Sequence, residues 1–368
     1  MSFSLEKNAA ETDEPNKPSR KKPIFPVNDS LRNYLKHHGR EVRQPVSYND
    51  LLHITYSVPL KDKNGKDTLW ETVSYDMNHW NFIRQGLVEI YAILKTEGDL
   101  SFTKHLDVAR IDYCFFANSN PFRIRIVNKF NDNYDHYYIK QADASRIYGL
   151  ELEHLLSPNR ITYLTHNDTL VEEHIPGIPG DVFIINYLDD PLTNKIRLTK
   201  EFVKFNERCF VRLLGDMRAY NFVVEITPDI EDFQYRIRAI DFDQQSYEGR
   251  KNLYLPQFFK ENNPFVELSM KFLNKDSIEQ YQTEERTMMA FRVASSRFRL
   301  MELLNIMSKD NISTQEKLFQ LRTGLAEYFA APAFYKCKSM GQLVKRQLKQ
   351  TLQKNLALIQ KNLGNFED

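Results

Sequence analysis

The sequence is poor in glycine and cysteine. Only 12 of its 368 residues are glycine, against a usual share of ~7%, so the backbone has few places to wrap closely around a phosphate. Cys114, Cys209 and Cys337 are far apart and form no C-x-x-C pair. This spacing disfavours a disulfide framework and a zinc ribbon, and it favours a reducing compartment.

The sequence also lacks a charge excess and a long apolar run. Lysine and arginine total 50 and the acidic residues 49, so overall charge favours neither nucleic acid nor an acidic polymer as partner. No stretch approaches ~18 apolar residues, and no apolar segment follows the charges of the first 29 residues, so neither a membrane span nor a secretory signal is predicted. The cytoplasm is the expected location.

What is present is ordinary globular composition, with 42% hydrophobic and 27% charged residues, and this length suits one large or two modest domains. We predict a disordered tail over 1–45, because the first 30 residues are rich in Lys, Glu, Asn, Ser and Pro. An N-terminal extension over 46–105 follows. It combines a hairpin turning at Asn64-Gly65 with an amphipathic helix over 77–97.

The next part of the chain alternates with a period of two and predicts the order β-β-β-α-β-β. The expected strands are 109–117, 122–127, 136–140, 161–164 and 169–175, with a helix over 143–156 before the fourth. Beyond Gly180 the chain is mostly helical, interrupted by one hairpin between Asn221 and Phe242. The last helices are expected near 284–306, 313–330 and 339–362.

Polar residues around that hairpin form the candidate site. Hairpin geometry places Asn221 and Asp241 on neighbouring strand ends, where an amide oxygen and a carboxylate suit Mg²⁺. Asp216, on the loop before Asn221, could then orient a hydroxyl. Phosphoryl transfer needs this combination. The alternative is that Asp216 and Asn221 are turn residues without a ligand.

These motifs resemble the protein-kinase-like superfamily, most closely its aminoglycoside and choline phosphotransferase branch. The branch's catalytic loop H-G-D-x-x-x-x-N is similar to the segment from Leu214 to Asn221, and its metal motif I-D-[FW] is similar to Ile240-Asp241-Phe242. Its hinge, L-V-M-E-Y-I-x-G, is similar to the segment from Thr169 to Gly177. The resemblance covers about residues 107–245 and, more loosely, the helical remainder.

The resemblance implies a two-lobed α+β protein-kinase-like fold. Its antiparallel N-lobe and hinge would span 106–180 and its helical C-lobe 181–368, with the extension packing on or beside the small lobe. ATP and Mg²⁺ are the implied cofactors. The implied site consists of Lys140 on the phosphates, the hinge residues Glu173, His174 and Ile175 at adenine, Asn221 and Asp241 on Mg²⁺, and Asp216 on the acceptor hydroxyl.

Three side chains in this implied site keep alternatives open. An acid on the following helix should steady Lys140, either Glu151 or Glu153, and we prefer Glu151 because it lies nearer the buried face. Asp243 is either a second metal ligand or, as we prefer, an acceptor that holds its loop. Arg218 contacts an anionic acceptor or forms a structural ion pair.

The expected function is ATP- and Mg²⁺-dependent transfer of a phosphoryl group to a hydroxyl of an unidentified, small-molecule acceptor. Leu214 in place of the family's histidine, and a first hairpin loop (118–121) without glycine, favour an alternative: a pseudokinase acting as a nucleotide-binding or scaffold module. An atypical protein kinase is a third candidate.

The C-terminal stretch 336–361 contains lysine and arginine but no acid. A terminal helix with a solvated face is the preferred interpretation. The alternative is weak contact with an anionic partner or membrane surface.

Overall fold

A seven-stranded antiparallel sheet dominates the first half of the protein, as seen in a computed structural model that describes residues 22–96, 99–230 and 232–364. The strands run in the order β1-β2-β3-β4-β5-β7-β6. Their bounds are β1 Tyr56–Lys61, β2 Asp67–Ser74, β3 Leu106–Tyr113, β4 Phe122–Asn128, β5 Tyr134–Gln141, β6 Tyr163–His166 and β7 Thr169–Glu173.

A smaller sheet holds the predicted second hairpin. Its strands are β8 Ile178–Pro179, β9 Phe222–Pro228 and β10 Phe233–Ala239, in the order β10-β9-β8. In the β9–β10 register Phe222 lies opposite Ala239, so the residues flanking this pair sit at one end of the hairpin.

Helices make up most of the remainder. Those in the first half are α1 Asp29–His37, α2 Tyr48–Leu51, α3 Met77–Thr96 and α4 Ala144–Leu156. The later helices are α5 Gly180–Asn186, α6 Lys195–Arg212, α7 Asn263–Phe272, α8 Lys275–Ser295, α9 Arg297–Met307, α10 Gln315–Tyr328 and α11 Met340–Gly364. The class is therefore α+β, with an antiparallel sheet and many helices. The predicted β-β-β-α-β-β order is confirmed in β3 to β7 with α4.

The predicted helix near 284–306 is two helices. Asn274 caps α8 by accepting a 2.8 Å hydrogen bond from the Ser277 amide, so this helix begins earlier than expected. α8 ends at Ser295, where a Ser-Ser pair interrupts the helical sequence before α9 begins. Side chains that favour non-helical hydrogen bonding explain the break.

The second part of the predicted disordered tail over 1–45 is ordered, because it contains helix α1. Helix α1 is capped by Asn28 and buries Leu31, Tyr34 and Leu35. Burial of these three large apolar side chains offsets the conformational entropy that the segment loses on folding. Composition alone predicted that this entropy loss would keep the segment disordered. The first 21 residues of the predicted tail lie outside the described residues.

The predicted extension joins the main sheet. Its hairpin, β1 with β2, is confirmed, and β2 pairs with β3 at Glu71↔Tyr113 and Thr72↔Asp112. The predicted helix, α3, packs Ile83, Leu87 and Ile90 into one apolar cluster with the strands. Residues 46–105 thus complete the sheet's core.

Both edges of the large sheet are modified. On one side β1 carries Pro59, which has no amide hydrogen. On the other side residues 40–42 lie along β6, where the Thr165 amide donates to the Arg40 carbonyl at 2.7 Å and the Val42 amide donates to the Thr165 carbonyl at 3.0 Å. Within the described part of the chain, no helix is both long and apolar enough to cross a membrane.

Candidate active site

The start of α4 positions the central side chain of the candidate site, Arg146. α4 follows β5 directly, and Asp143 caps it by accepting a 2.8 Å hydrogen bond from the Ser145 amide. The N-terminal segment fastens this cap, because Lys22 Nζ donates to Asp143 Oδ2 at 2.8 Å and the Ala144 amide donates to the Phe25 carbonyl at 2.9 Å. In the first turn of the helix, Arg146 is only 1% exposed.

Arg146 binds three carboxylates. Its Nη1 donates to Asp241 Oδ1 and to Asp243 Oδ1, each at 2.7 Å. Its Nη2 donates to Glu172 Oε2 at 2.7 Å, and its Nε donates to the other oxygen of Glu172. Lys140 Nζ donates to Glu172 Oε2 at 2.8 Å. We call these five residues the Arg146 cluster.

Electrostatics in the Arg146 cluster follow from burial and these pairings. Burial alone would raise the pKa of Glu172, but Arg146 and Lys140 outweigh it and lower the pKa to about 2. Burial, with the positive charge of Arg146 beside it, lowers the pKa of Lys140. Burial and the neighbouring Asp243 raise the pKa of Asp241, whereas Arg146 and Lys140 hold that of Asp243 low. Every charge therefore has an opposite charge in contact.

Asn221 and Asp241 lie at neighbouring strand ends, as the hairpin predicted. The Ile240 amide donates to the Asn221 carbonyl at 3.0 Å. The Asn221 side chain turns toward the preceding loop, where its Nδ2 donates to the Asp216 carbonyl at 2.7 Å. The amide thus braces the loop that carries Asp216.

Asp216 lies on a strained loop beside Arg218. Its φ is +57°, an uncommon conformation for a residue with a side chain. Arg218 Nε donates to Asp216 Oδ1 at 2.9 Å, and Arg218 Nη1 donates to Glu261 at 2.8 Å. Burial raises the pKa of Asp216 to about 6, against the opposing effect of Arg218. Arg218 thus forms ion pairs within the protein, which agrees with the structural role, one of the two roles predicted for it.

The pairing of Lys140 with Glu151 is wrong in this structure. Glu151 is fully buried and accepts from Arg299 Nη2 at 2.5 Å. Helical phase explains the difference. Glu151 comes five residues after Arg146, a rotation of about 140° around α4, so the two side chains leave on different faces. Gly149, three residues after Arg146, faces Phe242, since an added Cβ would lie 3.0 Å from the Phe242 Cβ.

Glu153, the other candidate partner, forms an ion pair with Arg212. Both acids of α4 therefore neutralise arginines from the helical part of the protein. The acid that neutralises Lys140 comes instead from β7, where Lys140 lies opposite Leu170.

The predicted adenine-contacting residues of the hinge, Glu173 to Ile175, follow Glu172 directly. Glu173 is tied to the residue before β6, because its Oε1 accepts from the Thr162 amide at 2.7 Å. His174 Nδ1 lies 3.3 Å from the Tyr138 hydroxyl, and burial lowers the pKa of His174. Ile175 is buried. The segment is held by side chains and sheet contacts, and its predicted contact with adenine stays a prediction.

The Mg²⁺ ion that the resemblance implies at Asn221 and Asp241 stays a prediction. The Oδ1 of Asp241 accepts from the Arg146 guanidinium. The Asn221 amide donates through its nitrogen to a backbone carbonyl, whereas a metal would bind the amide oxygen. Across the described ranges, no group of three or more His, Cys, Asp or Glu side chains could hold a metal ion. Arg146 supplies positive charge to Asp241, one of the two residues predicted to bind the metal.

Arg146 and Glu172 are the site residues that sequence reasoning missed. Both are charged residues inside elements that read as apolar, namely the first turn of α4 and the buried strand β7. Because buried charges are rare unless paired, two opposite charges in such segments were the available signal. Asp243, interpreted as an acceptor that holds its loop, does accept a hydrogen bond from Arg146.

Comparison with known proteins adds little to this geometry. No protein-family model matches the chain, and no curated protein matches it. Among solved structures, the chain is similar to the PAN3 pseudokinase of Neurospora crassa, with 6% sequence identity and a TM-score of 0.17. The match covers 68% of this chain and 62% of the PAN3 chain, so less than two thirds of that protein is spanned. A likeness this weak carries no argument about fold or function.

Proposed function

We propose that the protein is a two-lobed kinase-like module of the pseudokinase type, which uses the Arg146 cluster as a structural centre and has weak or no phosphoryl transfer. Support for the fold comes from β3 to β7 with α4 inserted after β5, followed by helices and a second hairpin, the order on which the resemblance rests. The β9–β10 hairpin and Asp216 also fall in the predicted sequence of elements.

The single observation that carries the proposal is the contact of Arg146 with Asp241. Phosphoryl transfer uses a metal to neutralise phosphate charge, and a carboxylate whose charge is already balanced by a cation attracts the metal less strongly. Asp241 is 31% exposed, but its Oδ1 is bound by a guanidinium that is itself almost fully buried. Moving Arg146 aside would leave an unpaired charge in the protein interior, which is costly.

A second candidate function is phosphoryl transfer to a small-molecule hydroxyl, with Lys140 on the phosphates. Asp216 favours it. This carboxylate is only partly exposed, has a raised pKa and lies on a loop that Asn221 braces. A carboxylate with a pKa near the working pH is suited to accept a proton from a hydroxyl.

Thermal unfolding with nucleotide and metal separates the two candidates. Wild type and Asp241→Asn should be melted with Mg²⁺ alone, ATP alone and both together. If Arg146 replaces the metal, any ATP-dependent shift is the same with and without Mg²⁺, and Asp241→Asn responds like wild type.

The opposite pattern supports the transferase. In that case ATP stabilises only with Mg²⁺, by ~2.7 kcal/mol at a hundredfold excess over Kd, and Asp241→Asn abolishes the shift. Slow ATP hydrolysis would then fall in Asp216→Ala by ~10²–10⁴-fold while MgATP affinity stays nearly unchanged. Lys140→Ala should weaken nucleotide binding as well, because it removes a charge facing the phosphates.

A further inference from the structure

A second polar region adjoins the Asp216 loop. A cavity of about 480 Å³ opens beside residues 249–253, and its walls include Arg250, Lys251, Asn252, Phe258, Phe259 and Gln320. The Asp216 amide donates to the carbonyl of Leu253, another wall residue, at 3.1 Å. We call this space the Lys251 cavity.

Glycine shapes the Lys251 cavity in a chain that has little glycine. A Cβ added at Gly249 would lie 2.3 Å from Gln320 Oε1 and 3.0 Å from the Lys317 Cα. The absence of a side chain therefore lets this segment pack tightly against α10. From that contact the chain runs along the cavity wall with Arg250 and Lys251 adjacent.

The cavity carries positive charge without a matching carboxylate. None of its wall residues is acidic. Over the described ranges, no carboxylate forms an ion pair with Arg250 or Lys251. The nearby acids are engaged elsewhere, since Glu248 pairs with Lys317 at 3.1 Å and Glu261 with Arg218 at 2.8 Å.

Lys251 is half-buried despite having no ionic partner. Its Nζ lies 4.4 Å from the ring centroid of Tyr328, which offers a π face but no negative charge. Burial lowers the pKa of Lys251, and no opposing charge restores it. A partly desolvated ammonium in this state gains from an incoming anion.

Aromatic surface adjoins these cations. Phe258 is 55% exposed at the cavity, and Phe259 lies buried beside it with Arg218 stacked 5.3 Å from its ring centroid. Ligand cavities typically combine apolar lining with a few polar groups that fix orientation. Here those groups are two cations and the amides of Asn252 and Gln320.

We propose that the Lys251 cavity binds a small organic anion, a phosphate or carboxylate joined to an aromatic or similarly flat apolar group. Arg250 and Lys251 hold the anion, and Phe258 contacts the apolar part. The proposal is independent of phosphoryl transfer at Asp216, because it rests on the charges and rings of the cavity alone.

Calorimetric titration of the full chain with defined probes tests the proposal. The probes are phenyl phosphate, benzoate and inorganic phosphate, with benzyl alcohol as the uncharged control. We expect phenyl phosphate or benzoate to bind, inorganic phosphate to bind more weakly, and benzyl alcohol to give no measurable heat. Which of the two aromatic anions binds better identifies the acid group.

Variants locate the bound anion. The double variant Arg250→Gln with Lys251→Gln should weaken binding by about tenfold or more, because each lost cation removes a charge-assisted contact. Lys260→Gln is the matched control, since Lys260 is exposed and follows the same segment without lining the cavity. Its affinity should equal that of wild type.

Two outcomes would overturn the proposal. One is no binding of either aromatic anion to the wild type. The other is binding that the double variant keeps, or that Lys260→Gln weakens to the same degree. Unfolding curves without ligand should coincide for wild type and both variants, so that loss of binding is not loss of fold. Because every probe lacks a nucleotide, failure here leaves the ATP and Mg²⁺ experiment unaffected.

Discussion

The Arg146 cluster and the Lys251 cavity are both rich in cations, yet they differ in what neutralises those cations. In the cluster, two cations contact three carboxylates within 2.8 Å, and the cations are nearly excluded from solvent. In the cavity, Lys251 lies over the ring of Tyr328, Arg250 is exposed, and no wall residue is acidic.

This difference separates charges that are paired within the protein from charges that are available to bind a ligand. A guanidinium with all its carboxylates in place has little to gain from a ligand, and disturbing it exposes several buried charges at once. A half-buried ammonium without a carboxylate partner has lost part of its hydration and has gained no ion pair in exchange. Binding of an anion would therefore stabilise it. A cluster of cationic residues therefore does not by itself indicate a binding site. A partly buried cation without a carboxylate partner does.

The largest expected effect comes from removing the cluster's central cation. Arg146→Ala should lower the free energy of unfolding by about 3–5 kcal/mol, because Glu172, Asp241 and Asp243 lose their shared partner while buried or half-buried. Urea unfolding measures the loss.

The matched control for that prediction comes from the cavity. Arg250 is exposed and lacks a carboxylate, so Arg250→Ala should change the free energy of unfolding by no more than ~0.5 kcal/mol. Equal losses in the two alanine variants would contradict the contrast between the two regions.

An intermediate effect is expected from Asp216, which lies between the regions. Its pKa is about 6 in the folded protein, against an ordinary 3.8. The folded state therefore binds this proton more tightly, and the stability it contributes is complete below pH 3.8 and is lost as the pH rises through about 6.

Asp216→Asn keeps a neutral side chain at every pH and so isolates this effect. Relative to the variant, wild type should lose on the order of 1–3 kcal/mol across that window. Urea unfolding of both proteins at several pH values checks the sign. Parallel stability curves would mean that burial does not disfavour the ionised Asp216.

The smallest effect concerns two glycines at the cavity. Gly324 lies inside α10, and the nearest atom to an added Cβ would be the Lys251 Cβ at 3.8 Å, an ordinary contact. Gly324→Ala should raise the free energy of unfolding by about 0.5–1 kcal/mol through helix propensity. Gly249→Ala should destabilise instead, because its Cβ would meet Gln320 and Lys317. Thermal unfolding of both variants shows whether each one is stabilised or destabilised. Destabilisation by Gly324→Ala would mean that the added methyl group has no room beside Lys251.

Much of the fold could be predicted because it is local in sequence. Alternation, turn residues and helical spacing predicted the hairpins, α4 and the last two helices to within a few residues, as in β4 at Phe122–Asn128. The proximity of Asn221 and Asp241 could be predicted for the same reason, because both residues flank one hairpin. Helix α1 was missed because its apolar face gains stability only from distant partners, and composition does not record them.

The site's charge pairing could not be predicted because it depends on rotation and on long-range contacts. Whether Glu151 or Arg146 faces Lys140 is decided by the phase of α4 against β5, which the Asp143 cap and Lys22 set together. Lys22 and Asp143 are separated by 121 positions. A spacing rule within one element cannot supply such a contact.

The modified edges of the large sheet affect how this protein behaves at high concentration. Open strand edges invite strands of other molecules, which is a common start of aggregation. Here β1 carries a proline, a residue that natural sheets use on edge strands, and β6 is already paired with residues 40–42. A sheet of seven strands is thus protected against growing from one molecule into the next.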